Sequence, residues 1–157
     1  MNIKLYLITT INSFVKSVPG ISGFMLEAEY RGETITLHDF THVEANKETS
    51  ETIALLMALN HLQKPCDVEL YSSTNLASSR LNTGVLHKWK DNDWKNSRGD
   101  LIKNAELWDK LLEVFEKNVI SLVNTRTDHH SYTNWMLDYI EKNEEKIGHW
   151  NEQEEDK

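Results

Sequence analysis

Cys66–Leu81, CDVELYSSTNLASSRL, reads as a buried strand that runs straight into a helix, with YSSTN, Tyr71–Asn75, as the turn between them. Sheets with helical crossovers gather their chemistry at the carboxyl ends of their strands. This strand ends in Ser72, Ser73 and Thr74, with no acid, histidine or glycine at the turn.

Upstream, Ser50–Leu62 (SETIALLMALNHL) carries Ile53, Leu55, Leu56, Met57, Leu59 and Leu62. It predicts a helix capped by Thr49 or Ser50 and stopped before Pro65. Farther back, KLYLITT (Lys4–Thr10) is a strand by its apolar alternation and β-branched residues. ISGFMLEAEY (Ile21–Tyr30) and ETITLHDFTHVE (Glu33–Glu44) are two more, turned on RGE, so the front of the chain is an antiparallel meander. Downstream, the short helix NLASSRLN ends at Gly84. NAELWDKLLEVFEKN (Asn104–Asn118) is a helix with Leu107, Leu111, Val114 and Phe115 on one face, ISLVNTRT (Ile120–Thr127) is the fifth strand, and SYTNWMLDYIEKNEE (Ser131–Glu145) the last helix. The order βββαβ(α)αβα implies an α/β fold: a mixed five-stranded sheet with helices on its faces. Residues 1–145 are expected to form one domain, and the acidic stretch 146–157 a flexible tail.

The charge is uneven. The chain carries –8 overall, yet Val85–Lys103 holds five basic residues (Lys88, Lys90, Lys95, Arg98, Lys103) against three acids, a local +2 that leaves –10 elsewhere. Such a balance excludes a protein that holds nucleic acid by bulk charge alone. A lone cysteine, Cys66, rules out an internal disulfide framework and fits a reducing compartment. The N-terminal apolar run is too short to span a membrane and lacks a small-residue cleavage site, so a cytoplasmic location is expected.

Three local patterns, taken with the element order, resemble the ribonuclease H family, bacterial type 1. ETIALLMAL opens a helix with Glu51, 22 residues before Ser73 at the end of the next strand. KWKDNDWKNSRGDLIKNAELW (Lys88–Trp108) is similar to the family's tryptophan-rich basic handle and the Lys-Asn-x-x-Leu-Trp helix after it. In NWMLD, Asn134 and Asp138 match the Asn-x-x-x-Asp of the last helix. The resemblance spans about residues 3–145. It implies cleavage of the RNA strand of an RNA·DNA hybrid by two divalent ions, usually Mg²⁺, held by four carboxylates. Hard cations want anionic oxygens, and two ions about 4 Å apart need several negative charges around them. On this pattern Glu51 and Asp138 are retained, while Thr10 and Ser73 stand where acids are expected. Mg²⁺ or Mn²⁺ is therefore expected to bind weakly, if at all. Asp128 and Glu44 are the acids worth testing as substitutes.

The resemblance also assigns the residues around the site. His129 and His130 fall in the loop where the family keeps a histidine for product departure or proton transfer; a solvated loop is the plainer reading. Lys88, Trp89, Lys90, Trp94, Lys95, Arg98, Lys103 and Asn104 correspond to the region that holds the DNA strand, and their cations and flat aromatic faces suit backbone contact and stacking. Asn75, Asn46 and Lys47 are placed to meet a ribose or phosphate, with helix capping as the alternative for the asparagines. Trp108, Trp135, Met25, Met57 and Met136 read as core. In INSFVKSVPGISG, Phe14 and Val15 occupy a loop through which the family's substrate approaches. The leading expectation is a binding module, for an RNA·DNA hybrid or a protein, with a degenerate metal site. The alternative is an active Mg²⁺- or Mn²⁺-dependent endoribonuclease with rearranged ligands.

Overall fold

The computed structural model describes residues 1–126 and 131–150. Strands β1 (Asn2–Thr9), β2 (Val18–Tyr30) and β3 (Glu33–Ala45) form the meander, followed by α1 (Lys47–Leu59), β4 (Cys66–Ser72) and the short helices α2 (Leu76–Asn82) and α3 (Val85–Asp91). Then come α4 (Ala105–Lys117), β5 (Ile120–Arg126), α5 (Ser131–Asn143), a 3-10 turn at Glu144–Lys146 and β6 (Gly148–His149). The strands lie in one sheet in the order β5-β4-β1-β2-β3-β6. β4 is parallel to β1 and β5 to β4, as crossover helices require.

Alternation along β1 divides the core. Ile3, Leu5 and Leu7 point to the face covered by α1, whereas Tyr6 and Ile8 pack with Met136 and Ile140 of α5 on the other. Helix α1 lies in the same apolar cluster as the sheet and α4, which is why its Ile53, Ala54, Leu55, Leu56, Ala58 and Leu59 are all buried. Each such leucine contributes about 1.5–3 kcal/mol. Gly23 lets β2 approach β3 closely, since a Cβ there would collide with the Phe40 ring.

Four expectations are corrected. The cap of α1 is Asn46, whose side chain accepts from the Thr49 N–H at 2.8 Å. Ser50 turns inward instead and shares hydrogen bonds with Thr9 (2.7 Å) and Ser22 (2.5 Å). Second, the basic handle starts as a helix, α3, made possible by Gly84, whose φ of 77° turns the chain sharply after α2. Third, the sheet has a sixth strand drawn from the expected tail. Ile147 is buried with Phe40 and Ile140, Gly148 and His149 pair with Thr41 and His42, and the Trp150 backbone N–H donates to the His42 carbonyl at 2.8 Å. Residues 151–157 of that tail lie outside the described residues. Fourth, Trp135 is 43% exposed: Met136 and Ile140 take the inward phase of α5, leaving the indole to stack on Tyr139 and meet His38 edge-on. Trp108, Met25 and Met136 are buried, and Met57 packs against the main core.

Candidate functional site

The carboxyl ends of β1 and β4 open beside the first turns of α1, and a cleft of about 240 Å³ lies there. Its walls are Leu7, Ile8 and Thr9 of β1, Lys47 and Glu51 of α1, Tyr71, Ser72 and Ser73 of β4 and its turn, and Thr133 of α5. The fold thus brings Glu51 and Ser73 together, as the family resemblance implied. Their relation is a direct hydrogen bond, in which the Ser73 hydroxyl donates to Glu51 Oε1. The other carboxylate oxygen accepts from the Thr74 hydroxyl (2.8 Å) and the Thr74 N–H (3.3 Å). Glu51 is 4% exposed. Three donors from one turn therefore surround a buried carboxylate and tie the end of β4 to α1. Ser72 is anchored beneath, its hydroxyl within hydrogen-bond distance of the Thr74 carbonyl and the Asn124 side-chain amide.

The remaining positions of the expected acid set are arranged differently. Thr10 lies just past the end of β1, exposed, and its hydroxyl accepts from the Ile21 N–H at 2.9 Å, which closes the β1–β2 connection. Asp138 is on the outward face of α5, its side chain 59% exposed and paired with Lys142 one turn on at 2.9 Å. Neither is among the residues lining the cleft. Glu44 is exposed on β3, and Asp128, His129 and His130 lie outside the described residues.

The donor set does not fit two Mg²⁺ or Mn²⁺ ions. Among the described residues no group of three or more His, Cys, Asp or Glu is placed to hold a metal. The cleft's one carboxylate already accepts from three protein donors, and an ammonium, Lys47, stands in the same wall. Hard divalent cations are held by several unshared anionic oxygens, which this cleft lacks.

Tyrosines line the α5 side. Tyr6 stacks on Tyr71 with ring centroids 4.6 Å apart, and Tyr132 meets Tyr6 edge-on at 5.1 Å. The Tyr71 hydroxyl donates to Glu69 and that of Tyr132 to Glu27. Burial pushes the Tyr6 phenol up to about 12, and the hydrogen bond to Glu69 does the same for Tyr71. Beyond them the sheet face opens into a larger groove, about 580 Å³, lined by Glu27, Glu29, Asp67 and Glu69 against a single cation, Lys4. That groove repels phosphate.

Another pocket, of about 270 Å³, collects the handle residues. Trp89, Lys103 and Asn104 line it together with Asn46, Thr49 and Arg80. Asn104, in a left-handed conformation (φ 61°), donates to the Thr49 hydroxyl at 3.0 Å and so joins the handle to the start of α1. Arg80 is held with its guanidinium 5.0 Å from the centre of the Trp89 ring and 4.8 Å from that of Trp108. Burial lowers its pKa from the ordinary arginine value. The sequence reading missed Arg80, because nothing in NLASSRLN announces a partner among tryptophans 9 and 28 residues later. Thr74, Tyr71 and Thr133 were also missed; only the position of Thr74 beside Ser73 could have pointed to it. Lys88, Lys90, Lys95 and Arg98 are exposed along the handle, with Lys90 3.8 Å from Asp109. Trp94 packs against the main core with Trp89. Asn75 is exposed at the start of α2, and its side chain makes no cap hydrogen bond.

The fold agrees with what similar proteins show. The chain belongs to the ribonuclease H family, whose RNase H model matches residues 9–146. A ribonuclease H of Legionella pneumophila (strain Corby) is 33% identical over 96 residues, 61% of this chain and 66% of that protein. One from Caldanaerobacter subterraneus subsp. tengcongensis is 30% identical over 69% of this chain and 70% of its own length. A Clostridium botulinum ribonuclease H, 36% identical, is matched over 51% of its length. Among solved structures, LC9-RNase H1, a type 1 enzyme with the type 2 active-site motif, superposes with a TM-score of 0.66 at 15% identity, covering 88% of this chain and 69% of that one. LC11-RNase H1, solved in complex with an RNA/DNA hybrid, gives 0.55 at 14% identity over 85% of this chain and 91% of that one. At such identities these structures speak for the fold. Among the described residues no helix is long and apolar enough to cross a membrane.

Proposed function

We propose that this chain is a ribonuclease H relative that grips nucleic acid, an RNA·DNA hybrid first of all, without the two-metal chemistry that cuts it. The observation that carries the reading is the state of Glu51: both carboxylate oxygens accept hydrogen bonds from the Ser73–Thr74 turn, and Lys47 stands in the same cleft. On this reading Thr10 and Ser73 mark lost acid positions, and Asp138 is a surface residue paired with Lys142. The grip is assigned to the handle. Its pocket gathers the indole of Trp89, the amides of Asn46 and Asn104, and the cations Arg80 and Lys103, beside the carboxylate of Glu48. Lys88, Lys95 and Arg98 extend the basic surface beside it. Contacts of this kind fix a duplex in register.

The test is cleavage of an end-labelled RNA·DNA hybrid in Mg²⁺ and in Mn²⁺, with Glu51→Gln/Asp138→Asn alongside and bound hybrid measured in the same samples. The expected result is no cleavage by either protein and binding that weakens steeply as salt rises. Cleavage by the wild type that the double variant abolishes would establish the active, rearranged-site enzyme instead. Absence of both cleavage and binding would point to a protein partner.

A further inference from the structure

Lys47 and Glu51 are four residues apart on α1 and both line the cleft. Lysine and glutamate at that spacing ordinarily meet across a helical turn. Here they do not, because Ser73 and Thr74 have taken the carboxylate. Lys47 is half-buried and its ammonium lies 5.3 Å from the centre of the ring of Phe14, an exposed residue of the β1–β2 loop. No carboxylate is within ion-pairing distance of it among the described residues. An aromatic face holds a cation in place without neutralising it.

We propose, building on the nucleic-acid reading above, that Lys47 supplies the positive charge a metal ion would bring, so that the cleft takes a phosphodiester oxygen with no divalent cation. The inventory of the wall supports this. Glu51 contributes a carboxylate satisfied from within, Lys47 an unpaired ammonium, and Thr9, Ser72, Ser73 and Thr133 uncharged hydroxyls. A divalent ion entering this cleft meets a fixed cation and a carboxylate whose oxygens are already engaged. A phosphate oxygen meets the same cation as its natural partner. The acidic groove on the sheet face beyond the tyrosines favours the same outcome, since it leaves this end of the sheet as the side on which an anionic backbone can rest.

The experiment is fluorescence anisotropy of a labelled RNA·DNA hybrid with the full chain, at constant ionic strength, once in EDTA and once in Mg²⁺. The proteins are wild type, Lys47→Ala, Lys47→Arg and, as a remote control, Lys64→Ala, each checked for folding by thermal melting. Equal wild-type affinity in the two buffers is expected. Lys47→Ala should bind about three- to tenfold more weakly, with a salt slope smaller by about one, and Lys47→Arg should restore most of the loss. Wild-type binding that requires Mg²⁺, or an affinity unchanged by Lys47→Ala, overturns this inference and leaves the nucleic-acid reading standing. A wild type that binds the hybrid in neither buffer overturns both.

Discussion

Glu51 is the residue on which two accounts of this protein divide, and they predict opposite effects of neutralising it. A carboxylate that serves as a metal ligand sits among other carboxylates, and removing its charge relieves repulsion. Here Glu51 sits among donors: a hydroxyl from Ser73 and a hydroxyl and an N–H from Thr74. Glu51→Gln replaces one accepting oxygen with an NH₂ group that faces those donors. Hydrogen bonds to charged groups contribute about 1.5–3 kcal/mol, so the variant should be less stable by an amount in that range, read from urea unfolding. An increase in stability would mark a crowded acidic site. The juxtaposition of Glu51 with Ser73 was legible in the sequence only through the family resemblance, which aligns the start of α1 with the end of β4. The hydrogen bonds that consume the carboxylate were not, since they depend on the exact path of the Ser73–Thr74 turn. Asp138 lies on the last helix as expected, but helical phase decides between a cleft and solvent, and here its side chain is 59% exposed and paired with Lys142.

The handle shows what a sequence conveys about an element and what it withholds. Its composition, tryptophans interleaved with lysines, was plain, and so was the helix that follows. Helix α3 was not anticipated, because VLHKWKD has few apolar positions to set a period and its start depends on the backbone of Gly84. What fixes α3 against the body of the protein is long-range: Arg80 of α2 lies between Trp89 of α3 and Trp108 of α4. Partly desolvated cation–aromatic contacts contribute about 1–2 kcal/mol. Arg80→Ala should therefore lower global stability by about that much and loosen the handle, read as faster amide exchange at Trp89 and Trp94 and as weaker hybrid binding. Arg80→Lys should recover little of either, since an ammonium cannot stack a planar face between two indoles. Unchanged exchange at Trp89 in Arg80→Ala would show that the handle is held by its other contacts.

At the scale of the molecule, the order of elements carried most of the fold. A meander followed by crossover units leaves few ways to arrange a sheet, and the observed order β5-β4-β1-β2-β3 is one that those rules allow. The sixth strand escaped notice because its two residues sit in a stretch whose acidic composition suggests solvent; Ile147 and Trp150, on either side of it, are the apolar residues that pack this segment on the body. Metal binding belongs to this scale too. The positions that would hold the ions come from β1, α1, the end of β4 and α5, and only the assembled fold can bring them into one place. In this chain it brings together Glu51, Ser73 and Lys47, with Thr10 and Asp138 outside the lining of the cleft. The most direct test of that claim is a titration of the folded protein with Mn²⁺, counting bound ions by electron paramagnetic resonance in the wild type and in Glu51→Gln. The account predicts no saturable site in either protein and identical titrations for the two. A pair of ions bound by the wild type and lost in Glu51→Gln would contradict it, and would return this cleft to metal-dependent hydrolysis.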